Sequence, residues 1–347
     1  MATLKDISRA LGLSVTQVSR ALNDHSDVNE ETRLRVKESA KLLKYQPNLT
    51  ARKLASGRSG MVGLIQPYNS QMVADGMWME VVSGLSAQFS SRGIQFVLHV
   101  AQEQDQVLPA YQKLISGGAL DGFVLVEPQA IDSRPDFLKK ARIPFVMHGR
   151  SSGATDYPYF DIDNFGLAYD STKRLLALGH RRIGLINGLQ GRSYVEHRSD
   201  GYRQALAEHG GAFDPFLLRH GVMQSATGLV NAVEFYRGTD APPTAIICSN
   251  ILVAKGVYQA LEALGLQIPR DVSVIAHDDA LMGIDPKSFF PALTVTYSPL
   301  SESWDPLAQF LSGAIEGKPL AELQRIAQCD FIDRASHGPA GGSRLYG

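Results

Sequence analysis

Seven short apolar runs, continuous rather than alternating, recur through the chain at residues 61–65, 95–98, 122–126, 144–147, 182–186, 245–248 and 272–276. Between them lie amphipathic stretches of helical period at 78–92, 107–116, 167–178, 201–209 and 252–264, several closed by a glycine at 93, 179, 210 or 265. A strand that is apolar on both faces must be covered on both, and only crossover helices cover a sheet in that way. The pattern therefore predicts parallel, doubly wound sheets. It runs through two such units that split near residues 158–163, and sheets of this kind place a ligand beyond the carboxyl ends of their strands.

The first 58 residues do not share this pattern. Thr3 followed by Asp6 is a capping-box pair for a first helix, Gly12 supplies a tight turn, and Ser14 caps a second helix. That spacing is a helix-turn-helix. Behind Pro47, residues 48–55 form another short helical candidate, with Asn48 as N-cap and Arg52, Lys53 and Leu54 along it. The overall charge of -1 conceals an asymmetry: residues 1–58 hold 11 Lys and Arg against 6 Asp and Glu, a net of +5, so the remaining 289 carry -6. A basic head suits phosphate contact, and an acidic body does not.

Several function classes are disfavoured. The amino terminus has no apolar leader core, and no stretch approaches the ~18 apolar residues of a membrane span, so a soluble protein of the reducing cytoplasm is expected. Cys248 and Cys329 lack CxxC or histidine spacing, which indicates neither a metal site nor a disulfide framework. The run 184–191 is glycine-containing but is neither GxGxxG nor a P-loop, and no GxSxG or HExxH occurs. No nucleophile with its base is nominated, so neither an enzyme nor a cofactor is expected.

The run Val15-Thr16-Gln17-Val18-Ser19-Arg20-Ala21-Leu22-Asn23, with Val28-Asn29-Glu30-Glu31-Thr32-Arg33 and Tyr45-Gln46-Pro47-Asn48, resembles the amino-terminal domain of the lactose repressor (LacI/GalR) family of bacterial transcription regulators. Further matches at Val62-Gly63-Leu64-Ile65, Asp121-Gly122, Asp163-Asn164, Gly179-His180-Arg181-Arg182-Ile183 and Asp278-Asp279 extend it over nearly the whole chain. The phrases at 148–150 and 156–164 are similar to those of regulators of α-glucoside uptake and breakdown. The fold this implies is a small all-α helix-turn-helix DNA-binding domain plus an α/β two-lobe, periplasmic-binding-protein-like domain of two doubly wound parallel sheets. Its expected parts are a DNA-binding domain at 1–46, a hinge helix and linker at 47–59, an amino-terminal lobe at 60–161 plus 293–321, and a carboxy-terminal lobe at 162–292 plus 322–340.

For DNA, the resemblance implies that Val15, Thr16 and Arg20 face base edges in the major groove while Ser14, Ser19 and Asn23 hold phosphates, with Arg20 the reader of a guanine. Ile7, Leu11, Val18 and Leu22, at helical spacing, form the core instead. Gln17 stands where the family usually places Thr. Thr3, Asn48, Ala51 and Arg52 complete the DNA-facing set, and Leu54 matches a leucine that paired hinge helices insert into the minor groove. For an effector, Arg198 and Asp278 match the family's arginine and carboxylate, a pair able to grip adjacent hydroxyls, and Asn250 supplies a donor and an acceptor although Ile251 replaces the usual following Asp. Tyr68, Asn69, Gln102, Glu127, His148, Arg150 and Asp161 fall at strand ends, and Phe290, with Phe289 and Trp78, is a candidate apolar platform. Structural alternatives stay open: Arg198 pairing with Asp200 or Glu196, Asp278 holding a loop with Asp279, and Asp163 as a helix cap. No role is assigned to Trp304. The implied partners are double-stranded operator DNA, a small-molecule effector such as a sugar, and a second copy of the chain, with no membrane and no metal. A purine- or sugar-phosphate-responsive corepressor type and a sugar-binding protein without a DNA role are the alternatives.

Overall fold

The computed structural model describes residues 2–341 apart from 23, 26, 46–57, 69–76, 154 and 238–240. The expectations placed on Asn23, Asn48, Ala51, Arg52, Leu54 and Asn69, and most of those placed on the 47–59 linker, lie outside the described residues. The chain forms two compact units, residues 1–60 and 61–347.

In the first unit, α1 (Leu4–Leu11) starts with the capping box: Asp6 Oδ2 accepts from Thr3 N at 2.9 Å and from Thr3 Oγ1 at 2.8 Å. It ends where Gly12 turns left-handed at φ 68°, a conformation cheap for glycine alone. The second helix, α2 (Val15–Leu22), has a box of its own: Gln17 N donates to Ser14 Oγ at 3.2 Å while Ser14 N donates to Gln17 Oε1 at 3.0 Å. Asn29 caps α3 (Glu30–Leu42) through Thr32 N at 2.8 Å. Ile7, Val18, Ala21 and Val36 are fully buried between the three helices, with Leu11 and Leu22 packed against them.

The second unit begins with β1 (Met61–Pro67), α4 (Met77–Ser91), β2 (Gln95–Ala101), α5 (Val107–Ser116), β3 (Gly122–Leu125), α6 (Ser133–Ala141), β4 (Phe145–His148) and β5 (Tyr159–Ile162). It continues with α7 (Asn164–Ala177), β6 (Ile183–Asn187), α8 (Ser193–Glu208), β7 (Leu218–His220), α9 (Ser225–Tyr236), β8 (Ala245–Cys248), α10 (Ile251–Ala263), β9 (Ser273–Asp278) and β10 (Thr294–Tyr297). Then come α11 (Trp304–Glu316), β11 (Gln324–Ala327) and β12 (Asp330–Ile332). Two six-stranded sheets result, ordered β11-β5-β4-β3-β1-β2 and β12-β10-β9-β8-β6-β7. The pairings are parallel except that of β12 with β10.

The lobe boundaries differ from those expected. β10, placed by the sequence reading in the first lobe, pairs with β9 in the second, and β11, placed in the second, pairs with β5 in the first. Packing explains the exchange: Val295 lies in the core of the second sheet, whereas Trp304, Leu307, Leu311 and Leu323 fill the core of the first. The chain thus crosses between lobes near 162, 298 and 328. Trp304 gains a role here. It is 4% exposed at the start of α11, and a Cβ on Gly84 of α4 would lie 2.2 Å from its Nε1, so that glycine makes room for the indole. Trp78 also packs on this core.

Candidate functional site

On the head, Ser14, Val15, Thr16, Gln17 and Arg20 are exposed at and beyond the amino end of α2, as is Thr3 before α1, and Ser19 is partly covered. Arg20 Nη1 is held 2.8 Å from Asp27 Oδ2, both side chains about half exposed. Such a pair contributes little to stability, so the guanidinium can be handed over to a base edge. Gln17 is held in the capping box of α2, its amide oxygen accepting from Ser14 N at 3.0 Å.

In the body, one hydrogen-bonded chain crosses from lobe to lobe at the carboxyl ends of the strands. Arg150, just after β4, donates from Nε to Asp161 Oδ2 at 3.0 Å. Asp161 Oδ1 accepts from Ile162 N and from Asn164 Nδ2, at 2.9 and 3.2 Å. Asn164 Oδ1 accepts from Arg198 Nε at 2.8 Å, and Arg198 Nη1 reaches the Ser249 carbonyl at 2.8 Å. Arg198, only 5% exposed, lies with its guanidinium 5.3 Å from the centre of the Tyr194 ring. It pairs with neither Asp200 nor Glu196; the former bonds Arg203 and the latter Ser152. Asp163 is a helix cap, accepting from Gly166 N at 2.8 Å.

A second set of contacts latches the lobes together. Gln129 and Arg192 form an antiparallel bridge, Ala130 N donates to Gly191 O at 2.9 Å, and Ser193 N donates to Pro128 O at 3.2 Å. Glu127 sits at their centre with φ 51°, uncommon for a side chain with a Cβ. Its carbonyl takes Arg192 Nη1 at 2.9 Å, and its carboxylate lies 3.2 Å from Arg192 Nη2 and 3.3 Å from Gln66 Nε2.

Other expected ligand residues are placed differently. Asn250 spends its carbonyl on Val253 N, capping α10 at 2.9 Å, and points its amide at Met223 O. Asp278 Oδ1 holds the following loop through Ala280 N at 2.8 Å, which is the structural alternative for that residue. Phe290 is 97% exposed and is no platform within the buried cluster; its neighbour Phe289 packs on Tyr258 instead. Tyr68 and Gln102 are exposed at the ends of the outer strand pair β1 and β2. His148 meets Trp304 edge-on and lies 3.2 Å from Ser303 Oγ.

Motif matching missed Asp279. His277 Nε2 lies 3.1 Å from its Oδ1. Burial works against its charge, but His277, Arg198 and His148 together hold its carboxyl below the usual range. Asp278, by contrast, is pushed up by burial against the Ala280 N–H. Burial also raises Glu80 on α4, and Asp279 across the cleft adds to that.

Two cluster members titrate in opposite senses. Burial raises Asp161 to about 6 despite Arg150, and burial lowers His148 to about 4. From an unfolded value of ~3.9, Asp161 contributes stability that is complete below pH ~4 and lost as the pH rises through 6, at most ~3 kcal/mol. His148 does the reverse, contributing above its unfolded value and losing that contribution as the pH falls towards 4. The two mask one another in the wild type. Relative to wild type, Asp161→Asn is expected to gain ~3 kcal/mol between pH 4 and pH 7 in denaturant titrations, and a constant offset would show that Asp161 titrates normally.

A helix-turn-helix head joined to a two-lobed α/β body is the architecture of a ligand-responsive DNA-binding regulator. Residues 3–48 match the family described as "Bacterial regulatory proteins, lacI family", and 59–303 match "Periplasmic binding proteins and sugar binding domain of LacI family". The chain belongs to the LacI family and is a transcriptional regulator. It is 38% identical to the HTH-type transcriptional regulator AglR of Rhizobium meliloti (strain 1021), covering 97% of this chain and 94% of that one. To the HTH-type transcriptional regulator RafR of Escherichia coli it is 35% identical over 82% and 84% of the two chains. Among solved structures, a transcriptional regulator CelR–cellobiose complex superposes with a TM-score of 0.69 at 28% identity, covering 97% of this chain and 100% of that chain. No helix among the described residues is long and apolar enough to cross a membrane.

Proposed function

We propose that this protein is a cytoplasmic, homodimeric repressor of carbohydrate-utilisation genes that leaves its operator when an uncharged saccharide binds between its lobes. The observation that carries the reading is the buried chain from Arg150 through Asp161 and Asn164 to Arg198. It offers a ligand ionic donors and acceptors already held in place, and it joins both lobes, so a ligand bound there acts on their relation. Arg150 is matched by Asp161, and Asp279 adds a second carboxylate held in its charged form, which favours a neutral polyol over a phosphate. Likeness to a regulator solved with cellobiose supports a saccharide. Release requires that the ligand bind the lobe arrangement that does not hold operator more tightly than the one that does.

The test is fluorescence anisotropy on a duplex from upstream of the protein's own gene, at fixed salt, with maltose, sucrose, trehalose and cellobiose. Release by one of them is the expected result; binding indifferent to all four would remove the saccharide reading and leave the DNA role. In the same assay Arg20→Ala is expected to lose ~1–3 kcal/mol on the operator and to stop discriminating one guanine, while binding to unrelated duplex changes little. Retained discrimination would take the base-reading role from Arg20.

A further inference from the structure

The DNA-facing helix of the head has a carboxylate set against it from outside. Along α2, Arg20 follows Thr16 by four residues and Gln17 by three, so the three share one side of the helix, and all are exposed. Residues 14–22 contain no acid. Asp27, on the loop that joins α2 to α3, brings one there: its Oδ2 lies 2.8 Å from Arg20 Nη1, with side-chain exposures of 51% for Arg20 and 49% for Asp27. The loop is tied down on both sides of Asp27. Arg33 of α3 donates from Nη2 to the carbonyls of His25 at 3.2 Å and Val28 at 3.0 Å, His25 N donates to Arg20 O at 3.1 Å, and Val28 packs on the core of the head. The loop's other acid, Asp24, turns left-handed at φ 55° and is drawn to α3 instead, its carboxylate 2.6 Å from Lys37 Nζ.

A carboxylate on a surface that meets DNA repels phosphates, and an ion pair this exposed contributes little to folding, so neither affinity nor stability accounts for Asp27. Its effect on Arg20 does. An unpaired guanidinium is drawn to a phosphate of any duplex, which adds affinity without sequence information. Paired with Asp27, Arg20 presents no net charge to the backbone, while its other N–H groups can meet the O6 and N7 of a guanine in the major groove. We propose that Asp27 is a specificity-determining residue that positions the Arg20 fork for a guanine edge and withholds it from phosphates. The head thereby exchanges affinity for any duplex against discrimination between duplexes. The inference rests on Arg20 as the base reader and adds the residue that acts through it.

The test uses the full-length protein and fluorescence anisotropy on the upstream duplex and on an unrelated one, between ~50 and ~200 mM salt. Wild type is compared with Asp27→Asn, Asp27→Glu, Arg20→Ala and the double variant of Arg20→Ala with Asp27→Asn. Asp27→Asn is expected to bind the unrelated duplex roughly tenfold tighter at the low-salt end, with a salt slope steeper by about 0.9, the value of one added phosphate contact. Its preference for the operator falls by roughly the same tenfold, whereas Asp27→Glu, which keeps the charge, retains most of that preference. With Arg20 already replaced by alanine, Asp27→Asn should leave the slope where it was, because no guanidinium is released. An equal steepening with and without Arg20 would make Asp27 a general repellent of phosphate and overturn the proposal, as would an unchanged slope in Asp27→Asn alone. Undiminished guanine discrimination in Arg20→Ala would remove the base reader and the proposal with it. Discrimination lost there, with Asp27→Asn indistinguishable from wild type, would overturn the proposal and leave Arg20 in place.

Discussion

With Arg198 replaced by alanine, operator binding is expected to persist while release by saccharide disappears, the sugar requirement rising at least a hundredfold. Arg198 is 5% exposed and already ordered by Asn164 Oδ1 and the Ser249 carbonyl, so a ligand meets it without paying for side-chain ordering. Hydrogen bonds from a charged donor contribute ~1.5–3 kcal/mol each, and two of them account for a factor of a hundred or more. The variant leaves two buried acceptors unpaired, so it should also melt lower, and the assay is run well below that temperature. Operator anisotropy with increasing sugar reads both effects. A normal sugar response would remove Arg198 from the site, and lost operator affinity at full folding would mean that the residue sets the lobe arrangement rather than reading the ligand.

The second large effect concerns the helices under that site. Gly256 of α10 faces α9, where an added Cβ would lie 1.8 Å from Ser225 O and 2.6 Å from Leu229 N. Gly228 of α9 is reciprocal, its Cβ position 1.9 Å from Val253 O. Both obstructions are backbone, which cannot rotate aside. Intrinsic propensity favours alanine over glycine within a helix by up to ~1 kcal/mol, so an isolated α10 would gain from Gly256→Ala. In the folded protein the overlap forces the helices apart, and a net loss of at least ~3 kcal/mol is expected in denaturant unfolding. A gain would show that the two helices are not in contact at these glycines.

Much of the architecture was readable before folding was considered. Continuous apolar runs separated by amphipathic ones can only be buried as parallel strands under helices, and the two sheets follow. The capping box from Thr3 to Asp6 and the Ser14 cap are local and needed no tertiary information, whereas Gln17 was read only as a DNA-facing residue. The strands missed were those the pattern cannot mark. β7 and β12 are three residues each, while β5, β10 and β11 are four residues each and mix polar with apolar side chains. The exchange of β10 and β11 between lobes was likewise invisible, because a crossing point carries no composition of its own.

For the site, the chemistry of single residues was legible and their assignments were not. Arg198 was found as a motif match, and the structure places it buried and bonded to Asn164 and the Ser249 carbonyl. Asn250, Asp278 and Phe290 were nominated on the same grounds, yet a helix end, a loop amide and solvent claim them in the folded chain. The sequence by itself determined the seven longer apolar strands, the amphipathic helices between them, the caps at Thr3 and Ser14, and that a basic head precedes an acidic body, since local spacing and side-chain type decide these. Only the tertiary structure decided that Arg198 is held by Asn164 and the Ser249 carbonyl, that Asp278 is bound to the Ala280 N–H, and that Glu127 and Arg192 latch the lobes. Except for the Asp278 loop, those relations join residues dozens of positions apart, and their energies depend on burial, strand register and competing partners that exist only once the sheets have formed.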